Sequence, residues 1–235
     1  MIVYPDNYRS IGQPVQIERI EEAILQVLTE INCNCISLSG GLDSSLILYY
    51  MSQVYQEVFA ITIGCSEKHP DVEYAKLAVS QFDNVFHEVY IPSSLEISNL
   101  EKHPEDFEGD AIVRLFYTYV KRCTDSIVAC DGIDEFMCGY YAHQEQPCEA
   151  TYYDHLRKLR DTHLIPLHRN SKDVKVYLPY LDERLLALYF QIPVKDKVDT
   201  EHRKKILVEM AKDKIPDAII GRRKYGFLDV LGIKN

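Results

Sequence analysis

The chain has 235 residues, 46% of them apolar and 26% charged, which excludes wholesale disorder, a collagenous repeat and a small disulfide scaffold. Its net charge of −10 argues against a nucleic-acid partner. No run approaches the roughly 18 apolar residues of a membrane span, and MIVYPDNYRS carries neither a basic nor an apolar signal region.

From Thr200 to Asn235 there are nine Lys/Arg against five Asp/Glu, a net of +4 that leaves −14 on the rest. A basic tail on an acidic body can face an anion, with phosphate the obvious choice, or can simply be a solvated helix. The seven cysteines include no CxxC pair, and Cys33-x-Cys35 is too close for a zinc knuckle. Cys35 and Cys130 lie in apolar runs and read as buried, inert thiols, so the expected setting is reducing and cytoplasmic.

In chain order, residues 15–31 place Ile17, Ile20, Ile24, Val27, Leu28 and Ile31 at helical spacing. A short strand at 35–38 runs into a glycine loop at 39–45 and then a helix. Strands follow at 57–64, from Asn84 to Ile91 and from Ser126 to Cys130, with helices from His69 to Phe82 and from Ala111 to Arg122 between them. This alternation predicts an α/β fold built on a doubly wound parallel sheet. Residues 93–110 hold six acids and one lysine and read as an exposed acidic segment or a flexible lid. Beyond about residue 145 the strand signal fades, and 149–168, 182–191 and 200–212 look helical. The expected organisation is a single domain, with an α/β part at 15–145 and a mainly helical part at 146–235.

The loop Ser39-Gly40-Gly41-Leu42-Asp43-Ser44-Ser45 sits between strand and helix. Its glycines admit close backbone approach, and the helix N-terminus offers free N–H groups and a positive dipole end to phosphate. Ser39, Ser44 and Ser45 add hydroxyls. Asp43 would repel a bare phosphate but suits a Mg²⁺ that binds phosphate oxygens. The loop is neither a Walker A loop, which needs a lysine, nor GxGxxG. A purely structural serine-glycine turn is the competing reading.

SGGLDSS resembles the pyrophosphate loop of the N-type ATP pyrophosphatases. A second stretch, Cys130-Asp131-Gly132-Ile133-Asp134-Glu135-Phe136-Met137-Cys138-Gly139-Tyr140, is similar to the GDGxDExFGGY motif of the asparagine synthetase synthetase domain. The resemblance spans roughly residues 15–230. It implies an adenine nucleotide α-hydrolase-like fold with a helical C-terminal portion, and ATP and Mg²⁺ as cofactors. It implies Asp43 and Asp134 as metal ligands, Asp131 and Glu135 near the reacting carboxyl, and Gly132 in the nucleotide site. Backbone groups at Ile63 and Gly64 would read adenine. Arg222-Arg223-Lys224-Tyr225-Gly226-Phe227 resembles the family's RxKxxF tail, which gives Lys224 a catalytic role on phosphate and the adenylated intermediate and Arg223 a place beside the nucleotide. Leu178-Pro179-Tyr180-Leu181-Asp182 resembles an RxPxLD element, where Asp182 reads best as a helix cap.

Three departures bear on substrate. The family's asparagine synthetases begin with a glutaminase domain, and only about 30 residues precede the first strand here. Lys175 and Tyr177 stand where the family's glutamate and arginine fall. Cys138-Gly139 replaces a glycine pair. The expected activity is therefore AMP-forming amide ligation, in which a small carboxylate is adenylated, pyrophosphate leaves, and ammonia, an amine or ammonia from a separate glutaminase subunit attacks. Tyr140 and Tyr141 are weak candidates for helping the amine lose its proton. Two alternatives stay open: a tRNA-modifying relative, and a non-catalytic nucleotide-binding subunit of an amidotransferase complex.

Overall fold

A computed structural model describes residues 16–222. The first helix, α1 (Ile17–Ile31), buries Ile20, Ala23, Ile24, Val27 and Leu28 along one stripe, as its periodicity requires. It ends at Asn32, which takes the left-handed conformation and returns its N–H to the Leu28 carbonyl. Strand β1 (Cys35–Ser37) then enters the core and passes through the glycine loop into α2 (Leu42–Val54).

Next come β2 (Val58–Ile63), α3 (Pro70–Val79) and β3 (Val85–Tyr90). His69 caps α3 by accepting from the Asp71 N–H, and Pro70 fits the first turn because its missing N–H has no partner to lose. The chain continues through α4 (Ser94–Ser98), α5 (Asp110–Cys123) and β4 (Ser126–Val128), then α6 (Ile133–Phe136), α7 (Tyr141–Glu145), α8 (Glu149–Leu159) and α9 (Ile165–Ser171). After β5 (Lys175–Tyr177) follow α10 (Glu183–Tyr189), α11 (Val194–Lys197), α12 (Lys205–Ala211) and α13 (Asp217–Ile220).

The five strands form one parallel sheet in the order β3-β2-β1-β4-β5. Strand order reverses between β1 and β4, and in sheets of this kind ligands bind outside the carboxyl ends of the strands at such a switch point. Both acidic motifs follow these two strands. The core is continuous from α1 through the sheet to α10 and α12. One face stays open at the β2–β3 end, where Phe59 and Phe86 pair across the strands and stack at 5.4 Å while 44% and 51% exposed.

Two details depart from the sequence reading, and a third decides between its alternatives. Strand β5 lies within the part expected to be helical; three residues are too few to show a period. The single helix expected over 149–168 is interrupted by a π-helical turn at Arg160–Leu164. Pro166 explains the break: it has no N–H for the Thr162 carbonyl, and the Ile165 N–H reaches back to Arg160 instead. Of the two readings of residues 93–110, the exposed acidic segment is the one found, tied down and not loose. Arg114 binds both Asp106 oxygens at 3.0 and 2.7 Å, the Glu101 carbonyl and Asn170. Arg169 adds a 2.8 Å ion pair to Asp110. Arg114 beside it holds the Asp106 carboxyl well below the usual range, outweighing the burial that would raise it.

No helix among the described residues is long and apolar enough to cross a membrane. All seven cysteines are free thiols. Cys35 is buried as expected, and burial pushes its thiol up to about 12; Cys130 is only half-buried, though its thiol is also raised by desolvation and the nearby acids.

Candidate active site

The glycine loop needs its first glycine. Gly40 has φ +65°, and a Cβ there would lie 2.4 Å from the Ala75 nitrogen. Gly41 precedes α2, whose N-terminus no side chain caps, so the first-turn N–H groups remain available to an anion. The loop serines divide. Ser39 is exposed, with its hydroxyl 3.1 Å from that of Ser44. Ser44 is buried and its hydroxyl accepts from the Ser39 N–H at 3.2 Å. Ser45 is fully buried. Ser44 and Ser45 are thus buried, while Ser39 is exposed.

Asp43 and Asp134 come together, as expected of a shared metal site, but a third residue stands between them. Lys204 Nζ lies 2.8 and 2.6 Å from the two Asp43 oxygens and 2.6 Å from Asp134 Oδ1. Burial alone would lower the ammonium's pKa; the two carboxylates more than reverse that and raise it, so Lys204 is held as a cation. Lys204 occupies a left-handed conformation just ahead of α12. Sequence reasoning missed it because its partner lies 161 positions away. The surplus of positive charge after Thr200 was the only signal.

The loop after β4 is shaped by two more glycines. Gly132 has φ +92°, and a Cβ there would strike the Leu181 side chain at 2.7 Å. At Gly139 a Cβ would fall 1.8 Å from Asp134 Oδ1. Cys138, where the resembling motif has its other glycine, is fully buried with φ +56°. The 178–182 element locks the two loops together. Tyr180 donates to the Asp43 carbonyl at 3.0 Å, Leu181 backs Gly132, and Asp182 caps α10 through the Arg184 N–H at 3.0 Å. The cap expected at Asp182 is therefore present, and the element's structural weight also rests on Tyr180 and Leu181.

Asp131 is half-buried after β4. Glu135 is 2% exposed; burial raises its pKa against the hydrogen bond from Tyr140 and the nearby His163. Tyr140 donates to Glu135 Oε1 at 2.8 Å, and His163 Nε2 lies 3.4 Å from the same oxygen. His163 lies within the π-helical turn. Burial, then the nearby acids, push the Tyr140 phenol far up, so it stays protonated and donates. Tyr141 is 51% exposed and stacks under Arg203 at 3.9 Å.

Ile63 ends β2 and is buried. The Gly64 N–H is spent on the Tyr90 carbonyl at 3.1 Å, so any adenine contact there must use other backbone groups. Lys224 and Arg223 lie outside the described residues. Arg222, next to them, reaches the glycine loop: it donates to the Ser39 and Gly40 carbonyls at 3.1 and 2.9 Å, pairs with Asp71 and covers the Tyr74 ring.

Fold and site together define a parallel α/β protein with a glycine loop, paired acids and a lysine at its switch point. The chain belongs to the asparagine synthase family, whose model matches residues 19–175 and again 167–234. No curated protein matches it in sequence. Among solved structures it is similar to an NH3-dependent NAD synthetase from Campylobacter jejuni, at 18% identity and TM-score 0.42, over 77% of this chain and 93% of that one. It is also similar to an NMN synthetase from Francisella tularensis, at 12% identity and TM-score 0.41, over 76% and 94%.

Proposed function

We propose that this protein is an AMP-forming carbon–nitrogen ligase: it adenylates a small carboxylate with ATP, then passes the acyl group to ammonia or an amine. The observation that carries this reading is the convergence of Asp43, from the loop after β1, and Asp134, from the loop after β4, on one cation at the switch point.

The donor set fits Mg²⁺. The available groups are hard carboxylate oxygens, and no cluster of three or more His, Cys, Asp or Glu forms a metal cage among the described residues. That suits an ion completed by phosphate oxygens and water. Asp43 and Asp134 would hold it, and when bound it neutralises charge building on the leaving pyrophosphate. The chain's own groups do the rest. N–H groups at the start of α2 face the phosphates, and Lys204 brings a positive charge into the same space. Arg222 draws the Ser39 and Gly40 carbonyls to itself and so fixes the loop's geometry. Asp131 and Glu135 flank the place for the carboxyl and the incoming nitrogen. The protein supplies position and charge, with no covalent intermediate of its own.

The test is pyrophosphate release from Mg-ATP across a panel of small carboxylates, with ammonium or glutamine as nitrogen source. We expect release that depends on one acid and falls by about 100-fold or more in Asp43→Asn, the scale of losing a main electrostatic contact to the transition state. ATP binding without release under every acid would reject the stand-alone ligase in favour of a subunit that needs a partner.

A further inference from the structure

Two buried carboxylates that share one lysine raise the question of what the lysine does when a metal arrives. The ammonium donates to both Asp43 oxygens at 2.8 and 2.6 Å and pairs with Asp134 Oδ1 at 2.6 Å, so three carboxylate oxygens crowd around it. An ion held by Asp43 and Asp134 would need those same oxygens. The surroundings leave little slack. The side chains of Lys204, Asp43 and Asp134 are 11%, 18% and 12% exposed. Gly139 closes the wall, since a Cβ there would lie 2.4 Å from Lys204 Cε.

We infer that Lys204 is a displaceable counter-cation: it occupies the aspartate pair until phosphate oxygens draw its ammonium away, so that the site admits a metal–nucleotide chelate and resists free metal. The inference rests on the ligase reading above and adds an order of binding to it.

Charge balance favours the exchange. Without a cation the two aspartates would repel each other in a desolvated site. A chelate brings the metal that replaces the ammonium and the phosphate oxygens that receive it, so neither partner is left uncompensated. Free metal would replace the ammonium but leave it buried with no anion.

The backbone suits a side chain that moves alone. The turn before α12 is fastened by Asp199, which accepts from the Glu201 and His202 N–H groups at 2.9 and 2.7 Å and pairs with Lys205 at 3.0 Å. With the turn held, the flexible four-carbon stem of Lys204 can carry its head from carboxylate to phosphate.

The test reads metal binding, not turnover. Mn²⁺ serves as the paramagnetic probe, and binding to the full chain is followed by electron spin resonance with and without a non-hydrolysable ATP analogue. Wild type should bind Mn²⁺ at least about tenfold more weakly without the nucleotide than with it. Lys204→Met should bind free Mn²⁺ about tenfold or more tighter than wild type, and the nucleotide more weakly. Equal Mn²⁺ affinity in wild type with and without the analogue overturns the inference, and that comparison needs no variant. Equal free-Mn²⁺ affinity in wild type and a folded Lys204→Met overturns it as well. In both cases the ligase reading survives if pyrophosphate release is intact. No Mn²⁺ binding even with the analogue removes the metal pair itself, and with it both readings.

Discussion

Gly139 is the tightest point of the site, and the reason is space, not dihedral freedom. A Cβ there would overlap Asp134 Oδ1 at 1.8 Å and press on Lys204 Cε at 2.4 Å. Neighbouring Cys138 shows the opposite case: it accepts a left-handed backbone at φ +56° and keeps its side chain, because the core has room for it. Gly139→Ala should therefore destabilise the fold by about 1–3 kcal/mol, the usual cost of forcing atoms into a packed interior. It should also cut pyrophosphate release more deeply than that loss explains, since the clash falls on the aspartate–lysine pair. Urea titration beside the release assay checks both; unchanged release in Gly139→Ala would mean the pair is not used. Asp43 and Asp134 were legible in the sequence because each sits in a motif just after a strand. Lys204 was not, because one lysine in a basic stretch looks like any surface charge until the fold closes on it.

Between elements, the least expected contact joins α8 to α11. Lys197 is 1% exposed, donates to the Tyr152 hydroxyl at 2.8 Å and lies 4.2 Å over its ring. Burial pulls its pKa down to about 7. In the unfolded chain a lysine keeps its proton to about pH 10.4, so between about 7 and that value the unfolded state holds more protons than the native one. Stability must then rise with pH across this window, with a slope approaching about 1.4 kcal/mol per pH unit from this group. Lys197→Met should stabilise the protein most at about pH 6, where the buried charge is at full cost, and least near about pH 10. Urea midpoints at the two pH values decide it; a gain independent of pH would mean Lys197 keeps its ordinary pKa inside the fold. The same region shows why element reading faltered late in the chain. The 149–168 periodicity is real, but one proline forces a π turn, and β5, at three residues, is too short to show a period.

At the scale of the molecule, the sequence carried the architecture because its first half alternates cleanly: apolar runs of strand length, a glycine loop, amphipathic helices. Parallel strands with the order β3-β2-β1-β4-β5 put the ends of β1 and β4 side by side, and both acidic motifs follow those ends. What sequence could not supply was the stitching between distant parts. Tyr180 under Asp43, Arg222 on the glycine loop and Arg114 on Asp106 join segments that only the finished fold brings together. Tyr180 and Arg222 hold the glycine loop itself, so the site draws on parts of the chain far apart in sequence.

The most direct test of carboxylate adenylation follows oxygen. With the acid identified by pyrophosphate release and labelled with ¹⁸O in its carboxylate, the reaction is run with Mg-ATP and ammonium, and the AMP is weighed by mass spectrometry. Attack of the carboxylate on the α-phosphorus leaves one ¹⁸O in AMP when the nitrogen displaces it. AMP carrying that single label is the predicted result; AMP without label, or label appearing in inorganic phosphate, would contradict the account.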